Sequence, residues 1–128
     1  MTQVKPDSVQ TQRLLERARH GEPGAANELL ARHRRFLRQI VGLGFDPRLR
    51  PRVDPSDVVQ ETQMEAFRRL DDYLKRRPMP FRLWLRKTAQ ERLLKVQQQH
   101  LRTSRRAIGR EVPLPAQSSA ILAKQLLQ

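Results

Sequence analysis

The amino-acid sequence predicts an all-α fold, a compact bundle of about four helices, and three observations support this prediction. Apolar residues recur at three- and four-residue steps over several long segments. Glycine and proline cluster between those segments, where they mark turns. Strand-like alternation of apolar and polar residues is absent from the sequence. Because the chain has 128 residues and no cysteine, we expect one domain that is stabilised by packing rather than by disulfides.

We expect the first helix over residues 9–19 and the second over residues 25–41. Glycine and proline follow each of them, within residues 21–24 and 42–55. Along the second segment, apolar side chains and one histidine recur with helical spacing, namely Leu29, Leu30, His33, Phe36, Leu37 and Ile40. Both helices are therefore predicted to be amphipathic.

The third predicted helix has the clearest start signal. Asp54 can accept backbone N–H bonds as the N-cap, Pro55 suits the first helical position, and Asp57 places a negative charge in the first turn. The helix should run to about residue 73. Its predicted core stripe comprises Val59, Thr62, Ala66, Phe67, Leu70, Tyr73 and Leu74.

The fourth predicted helix covers residues 80–104 and should bury one face, which comprises Phe81, Trp84, Leu85, Thr88, Ala89 and Val96. We assign Trp84 to the core, with stacking on a nucleobase as the alternative. The predicted organisation is a flexible N-terminus at residues 1–8, a helical domain at residues 9–108, and a linker with a short helix at residues 109–128. Within that last segment, the helix is expected over residues 120–127.

Charge is sorted along the chain. The net charge is +13, which indicates a polyanionic partner such as nucleic acid. Residues 54–73 carry six acidic and two basic side chains, whereas residues 74–110 carry twelve basic and one acidic. This separation predicts two surfaces with different partners.

The acidic segment has two interpretations. Asp57, Glu61 and Glu65 follow one another at i, i+4 steps, so they share one side of the third helix. They could form a solvated face in which Glu65 pairs with Arg69. However, each like-charge i, i+4 pair costs roughly 0.2–0.5 kcal/mol, and a basic partner would reverse that sign.

The basic segment also has two interpretations. Arginines near the end of the fourth helix could complement its dipole. Alternatively, the cations bind phosphates, and Lys75, Arg76 and Arg77 lie beside Met79 and Phe81 in a mixture of basic and apolar groups. That mixture suits single-stranded nucleic acid, whose bases expose faces that a duplex hides.

We expect no enzymatic activity, metal or cofactor. His20, His33 and His100 are far apart and lack metal-ligand spacing, and no phosphate-binding glycine loop or nucleophile motif occurs. No run of 18 apolar residues and no apolar leader segment is evident, so we expect a cytoplasmic protein without a membrane span.

Two motifs carry a resemblance to a known family. The run from Asp54-Pro55-Ser56-Asp57-Val58-Val59-Gln60-Glu61-Thr62 through Ala66-Phe67-Arg68-Arg69-Leu70 resembles the polymerase-binding helix of bacterial sigma factors of the extracytoplasmic-function group. The later block Phe81-Arg82-Leu83-Trp84-Leu85-Arg86-Lys87-Thr88-Ala89 resembles the start of their promoter-melting helix. The motifs occur in the family's order, and the resemblance covers residues 9–106, the minus-ten and core-binding domain (sigma region 2).

The resemblance implies two binding surfaces and a role in transcription initiation. The third helix would bind the clamp helices of the largest subunit of core RNA polymerase through Asp54, Asp57, Gln60, Glu61 and Glu65. Basic and polar side chains of the loop and fourth helix would bind the single-stranded minus-ten promoter element, namely Lys75, Arg76, Arg77, Arg82, Arg86, Lys87, Gln90, Glu91 and Lys95. The implied core residues are Val59, Phe67, Leu70, Phe81, Trp84 and Leu85.

The sequence departs from the family pattern in several places. Glu91 stands where the family usually has Asn, and Lys95 where it usually has Asp, so no base preference is implied. Arg92 falls inside an apolar stripe, for which the sequence alone offers no physical reason. The family's second domain, a helix-turn-helix reader of the minus-thirty-five element, has no counterpart up to Gln128, and we favour a fragment as the explanation.

Two other functions remain open at this point. The chain could be a general single-stranded nucleic-acid-binding protein, or a protein–protein adaptor that uses only the acidic helix. The resemblance also leaves open whether an inhibitory anti-sigma factor binds the acidic helix.

Overall fold

Five α-helices and one 3₁₀ turn make up the part of the chain that the structure describes. The computed structural model describes the backbone of residues 6–108 and the side chains of residues 6–105. The helices are α1 Val9–Arg19, α2 Ala25–Arg32, α3 Arg34–Gly44, α4 Pro55–Arg76 and α5 Phe81–Ile108, and the 3₁₀ turn is Pro47–Leu49. No β-strand occurs among these residues, which confirms the all-α prediction.

The helices pack around a single apolar core. α4 and α5 are consecutive and contact each other, α5 also packs on α3, and α1 packs on α2 and α4. Every helix contributes buried side chains, among them Leu15, Leu29, Leu37, Val58 and Leu85, none more than 1% exposed. Four of the other residues assigned to the core are also buried: Val59, Leu70, Phe81 and Trp84.

The second predicted helix, residues 25–41, is divided in two at His33. The backbone at His33 leaves the helical region (φ −101°, ψ 9°), and its ring is buried. Nδ1 donates to the Leu29 carbonyl at 2.9 Å, and Nε2 lies 3.4 Å from the hydroxyl oxygen of Thr11 in α1. The His33 ring thus donates to the Leu29 carbonyl, which the His33 amide would bond in a continuous helix, and it also contacts α1. The helix is interrupted there, so α2 and α3 are separate helices.

The start of α4 follows the predicted capping pattern. The carboxylate of Asp54 accepts from the Ser56 amide at 2.9 Å, and Pro55 occupies the first helical position. The predicted C-terminal end of this helix is three residues too early in the sequence, since α4 continues past Tyr73 to Arg76. α5 likewise runs to Ile108 rather than to residue 104.

Phe67 corrects the predicted core. Its side chain is 52% exposed, although it was assigned to the apolar stripe of α4. Ala66 and Leu70 occupy the centre of that stripe and are buried, and a helical rotation of about 100° per residue places Phe67 at its edge. The predicted stripe was therefore one position too wide.

Asp7 anchors the start of α5 from far away in the sequence. Its carboxylate accepts a hydrogen bond from the Phe81 amide at 2.8 Å, while Ser8 caps α1. Both residues fall within the segment predicted to be flexible, of which residues 1–5 lie outside the described part. The predicted linker and short helix at residues 109–128 also lie outside it.

Candidate functional site

One side of the first half of α4 carries the residues that the sequence assigned to polymerase binding. We call this the acidic surface, and it comprises Asp54, Asp57, Gln60, Glu61 and Glu65. All except Glu65 are exposed, and Glu65 is half-buried. Hydrogen bonds from Ser56 lower the pKa of Asp54, so its carboxylate caps the helix in the charged form.

Arg92 of α5 pairs with two members of the acidic surface. Its guanidinium lies 3.6 Å from Glu65 and 4.0 Å from Glu61, and three quarters of the Arg92 side chain is buried. Arg68 also pairs with Glu65, and these cations lower the pKa of Glu65, with Arg68 as the largest cause. These ion pairs relieve part of the like-charge repulsion between the two glutamates, and they explain a cation in the apolar stripe of α5.

The interpretation of the acidic segment as a solvated face paired Glu65 with Arg69, and the structure pairs both residues differently. Glu65 pairs with Arg68 one residue earlier, at the i, i+3 step. Arg69 instead reaches across to α5, where its guanidinium lies 3.6 Å from Glu91. Glu91, assigned to nucleic-acid binding by its position, therefore links the two helices.

The acidic surface borders an apolar groove between α2 and α4. Met64 is 57% exposed and lies one turn after Gln60, and Phe67 follows it along the same edge. Leu30 and Ala31 form the α2 side of a groove of about 450 Å³, whose charged lining residues are Arg34 and Arg68. Large apolar side chains beside carboxylates are typical of protein-binding surfaces rather than of a solvated helix. The sequence had suggested only the carboxylates.

The segment between α4 and α5 is held in a defined conformation. Lys75 and Arg76, which were predicted to lie in a loop, form the last turn of α4, and only residues 77–80 join the two helices. We call residues 75–80 together the basic loop. Arg77 closes α4 with a left-handed backbone (φ 37°), and its amide donates to the Tyr73 carbonyl at 2.6 Å. The Tyr73 hydroxyl donates to the Met79 carbonyl at 2.6 Å.

Aromatic packing supports the basic loop from below. The Tyr73 ring lies 4.7 Å from the Trp84 ring and 5.6 Å from the Phe81 ring, measured between centroids. Trp84 is 7% exposed, so it belongs to this support and not to the surface. The loop therefore presents Lys75, Arg76 and Arg77 from a rigid base, although Arg76 pairs with Asp72 at 3.2 Å.

The other residues that the sequence assigned to nucleic-acid binding lie on α5, and we call them the basic face: Arg82, Arg86, Lys87, Gln90, Glu91 and Lys95. Arg82, Lys87 and Lys95 are exposed, whereas the other three are half-buried. The Arg82 guanidinium lies 4.3 Å above the Phe36 ring of α3, a cation–π contact that fixes it at the start of α5. The basic loop leads directly into the first half of α5, and we call the two together the cationic region.

Other classes of site find no support in this part of the chain. Among the described side chains, no group of three or more histidine or carboxylate residues is arranged to hold a metal ion. Over residues 6–108, no helix combines the length and apolarity that crossing a bilayer requires.

Comparisons with protein-family models, with curated proteins and with solved structures found no match to this chain.

Proposed function

We propose that this chain is a cytoplasmic, non-catalytic transcription-initiation domain of the sigma type. In this proposal the acidic surface binds core RNA polymerase, at the clamp helices of its largest subunit. The basic loop and the basic face bind the single-stranded minus-ten promoter element.

The observation that carries the proposal is the composition of the first half of α4. Asp57 and Glu61 are exposed beside Met64, and Phe67 is half exposed at the edge of the groove. Two adjacent large apolar side chains do not stabilise a helix that stays solvated. In a protein-binding surface, these side chains would be buried against the partner and the carboxylates would orient a basic partner. A helical partner fits this surface if its basic side chains face Asp57 and Glu61 and its apolar side chains enter the groove, where Arg34 and Arg68 exclude further cations. The resemblance to sigma factors implies such a partner.

The cationic region supports the nucleic-acid half of the proposal. Lys75, Lys87 and Lys95 are exposed and can neutralise phosphates. The basic loop is anchored by Tyr73, so it would bind without first becoming ordered. Glu91 is engaged by Arg69, and its role in the proposal is to join α4 to α5 rather than to read a base.

A sequence-tolerant single-stranded nucleic-acid-binding protein is the second candidate. The engagement of Glu91 favours it, because a paired carboxylate is less available to accept bonds from a base. This candidate shares the cationic region with the first but assigns no partner to the acidic surface.

A selection experiment distinguishes these functions. The chain is mixed with bacterial core RNA polymerase and a pool of single-stranded DNA randomised over ten positions, and bound DNA is sequenced after repeated rounds. The sigma-type proposal predicts that a defined motif is enriched only when both proteins are present. An unenriched pool at high occupancy would contradict it and favour the general binder.

The salt dependence of DNA binding distinguishes the two nucleic-acid-binding functions from the protein–protein adaptor. If about four phosphates are engaged on a single strand, affinity should fall with a log–log salt slope of roughly −2.8. Weak DNA binding whose affinity does not change with salt would instead favour the adaptor, in which only the acidic surface has a partner.

A further inference from the structure

A second cationic feature adjoins the basic loop. It is a groove of about 420 Å³ between the last turn of α1 and the end of α4, and we call it the cationic groove. Its lining comprises Ala18, Arg19, Asp71, Leu74, Lys75 and Arg77. Three cations against one carboxylate leave a net charge of +2, and the two apolar residues lie between the two helices.

The two arginines at the end of α1 differ in their environment. Arg17 is neutralised by Glu22 and by Glu28, whose carboxylate lies 3.1 Å away. Arg19 is 63% exposed, and its closest carboxylate in the described part of the chain is that of Glu16, at 4.0 Å. Arg19 therefore retains the capacity to bind a further anion, which Arg17 has largely lost.

We propose that the cationic groove binds one nucleotide of a single DNA strand, with its phosphate on Arg19 and Lys75. This inference rests on the proposed function, because the groove shares Lys75 and Arg77 with the basic loop. A strand bound on that loop therefore continues into the groove without leaving cationic surface. The groove's volume accommodates a ligand of nucleotide size, and the apolar lining of Ala18 and Leu74 suits a sugar or base face.

A purely structural role for Arg19 makes a different prediction. A cation in the last turn of a helix stabilises the helix dipole by roughly 0.3–1 kcal/mol. That role would make Arg19 important for stability and unimportant for DNA affinity. The two roles are therefore separable by measuring binding as a function of salt.

The test compares Arg19→Gln with Arg13→Gln, which removes the same charge from another side of α1. Affinity for a fluorescent single-stranded oligonucleotide is measured by anisotropy from 50 to 200 mM salt. One lost phosphate contact reduces the magnitude of the log–log slope by about 0.7, which corresponds to roughly eightfold weaker binding at 50 mM and threefold at 200 mM. We expect that change for Arg19→Gln and an unchanged slope for Arg13→Gln.

Each other result overturns the inference in a recognisable way. Equal losses in both variants would mean that only total charge matters. An unchanged Arg19→Gln together with a weakened Lys75→Gln would remove the groove and leave the basic loop as the binding site. If the unsubstituted chain binds no single strand, either alone or together with core RNA polymerase, both the inference and the DNA half of the proposed function fail, while polymerase binding is tested separately.

Discussion

Replacing Arg92 by glutamine should weaken the contact between α4 and α5, because this guanidinium is shared between Glu61 and Glu65. The distances are 4.0 and 3.6 Å, and the Arg92 and Glu65 side chains are 24% and 25% exposed. Two unit charges about 4 Å apart attract by roughly 1 kcal/mol in water and 4 kcal/mol at an effective dielectric constant of 20. Desolvation and the ordering of two long side chains oppose this attraction, and exposed pairs retain only about 0.2–1 kcal/mol. For a pair that is mostly buried we expect a coupling near the upper end, about 1 kcal/mol.

A double-mutant cycle with Arg92→Gln and Glu65→Gln measures that coupling. Unfolding by denaturant can be followed through the fluorescence of Trp84, the single tryptophan of the chain. In 1 M salt, where the Debye length is about 3 Å, the coupling should decrease. The matched control is the exposed pair Asp72–Arg76 within α4, for which about 0.3–0.5 kcal/mol is expected. A coupling no larger than that of the control would refute the assignment of Arg92 as an electrostatic link between the helices.

Three further predictions concern the buried residues. Burial, with smaller contributions from Arg32 and Arg82, lowers the pKa of His33, so the folded state binds fewer protons than the unfolded chain. The free energy of unfolding should therefore include the full contribution of neutral His33 above about pH 6.5 and should decrease as the pH is lowered to 5. In denaturant titrations, His33→Gln should flatten this pH dependence, whereas the control His20→Gln, at an exposed position, should retain it. Burial raises the pKa of Tyr73, the single tyrosine, to about 12; ultraviolet titration should show tyrosinate forming near that pH in the folded chain and near 10 in denaturant, and a folded-state value near 10 would contradict its buried position. Phe81→Ala should destabilise the fold by about 3–5 kcal/mol and Phe67→Ala by less than about 1 kcal/mol, since the first side chain is fully buried and the second half exposed; similar losses would contradict the correction to the core.

Features that depend on neighbouring residues in the sequence were predictable. The Asp54–Pro55 cap is local, because the carboxylate bonds an amide only two residues away. The first helix has the predicted bounds, and the periodicity of α4 and α5 located their main buried stripes.

Features that depend on distant residues were not predictable. The break at His33 involves Thr11 of α1, and the start of α5 is held by Asp7, 74 residues earlier. Arg92 was unexplained until α4 placed Glu61 and Glu65 beside it. Periodicity gives the direction of a stripe but not its width, which is why Phe67 was assigned to the core and the apolar part of the docking surface was missed.

The central claim is that the acidic surface binds core RNA polymerase, and the affinity of two charge-reversal variants tests it most directly. Asp57→Lys changes an exposed carboxylate of that surface, and Asp71→Lys makes the same change near the other end of α4. Labelled variants, shown to be folded by circular dichroism, are titrated with core polymerase without DNA. We expect Asp57→Lys to bind at least about tenfold more weakly than the unsubstituted chain, a loss of roughly 1.4 kcal/mol, and Asp71→Lys to bind within about twofold of it. Equal affinities of the two variants, or no binding by the unsubstituted chain, would contradict the claim.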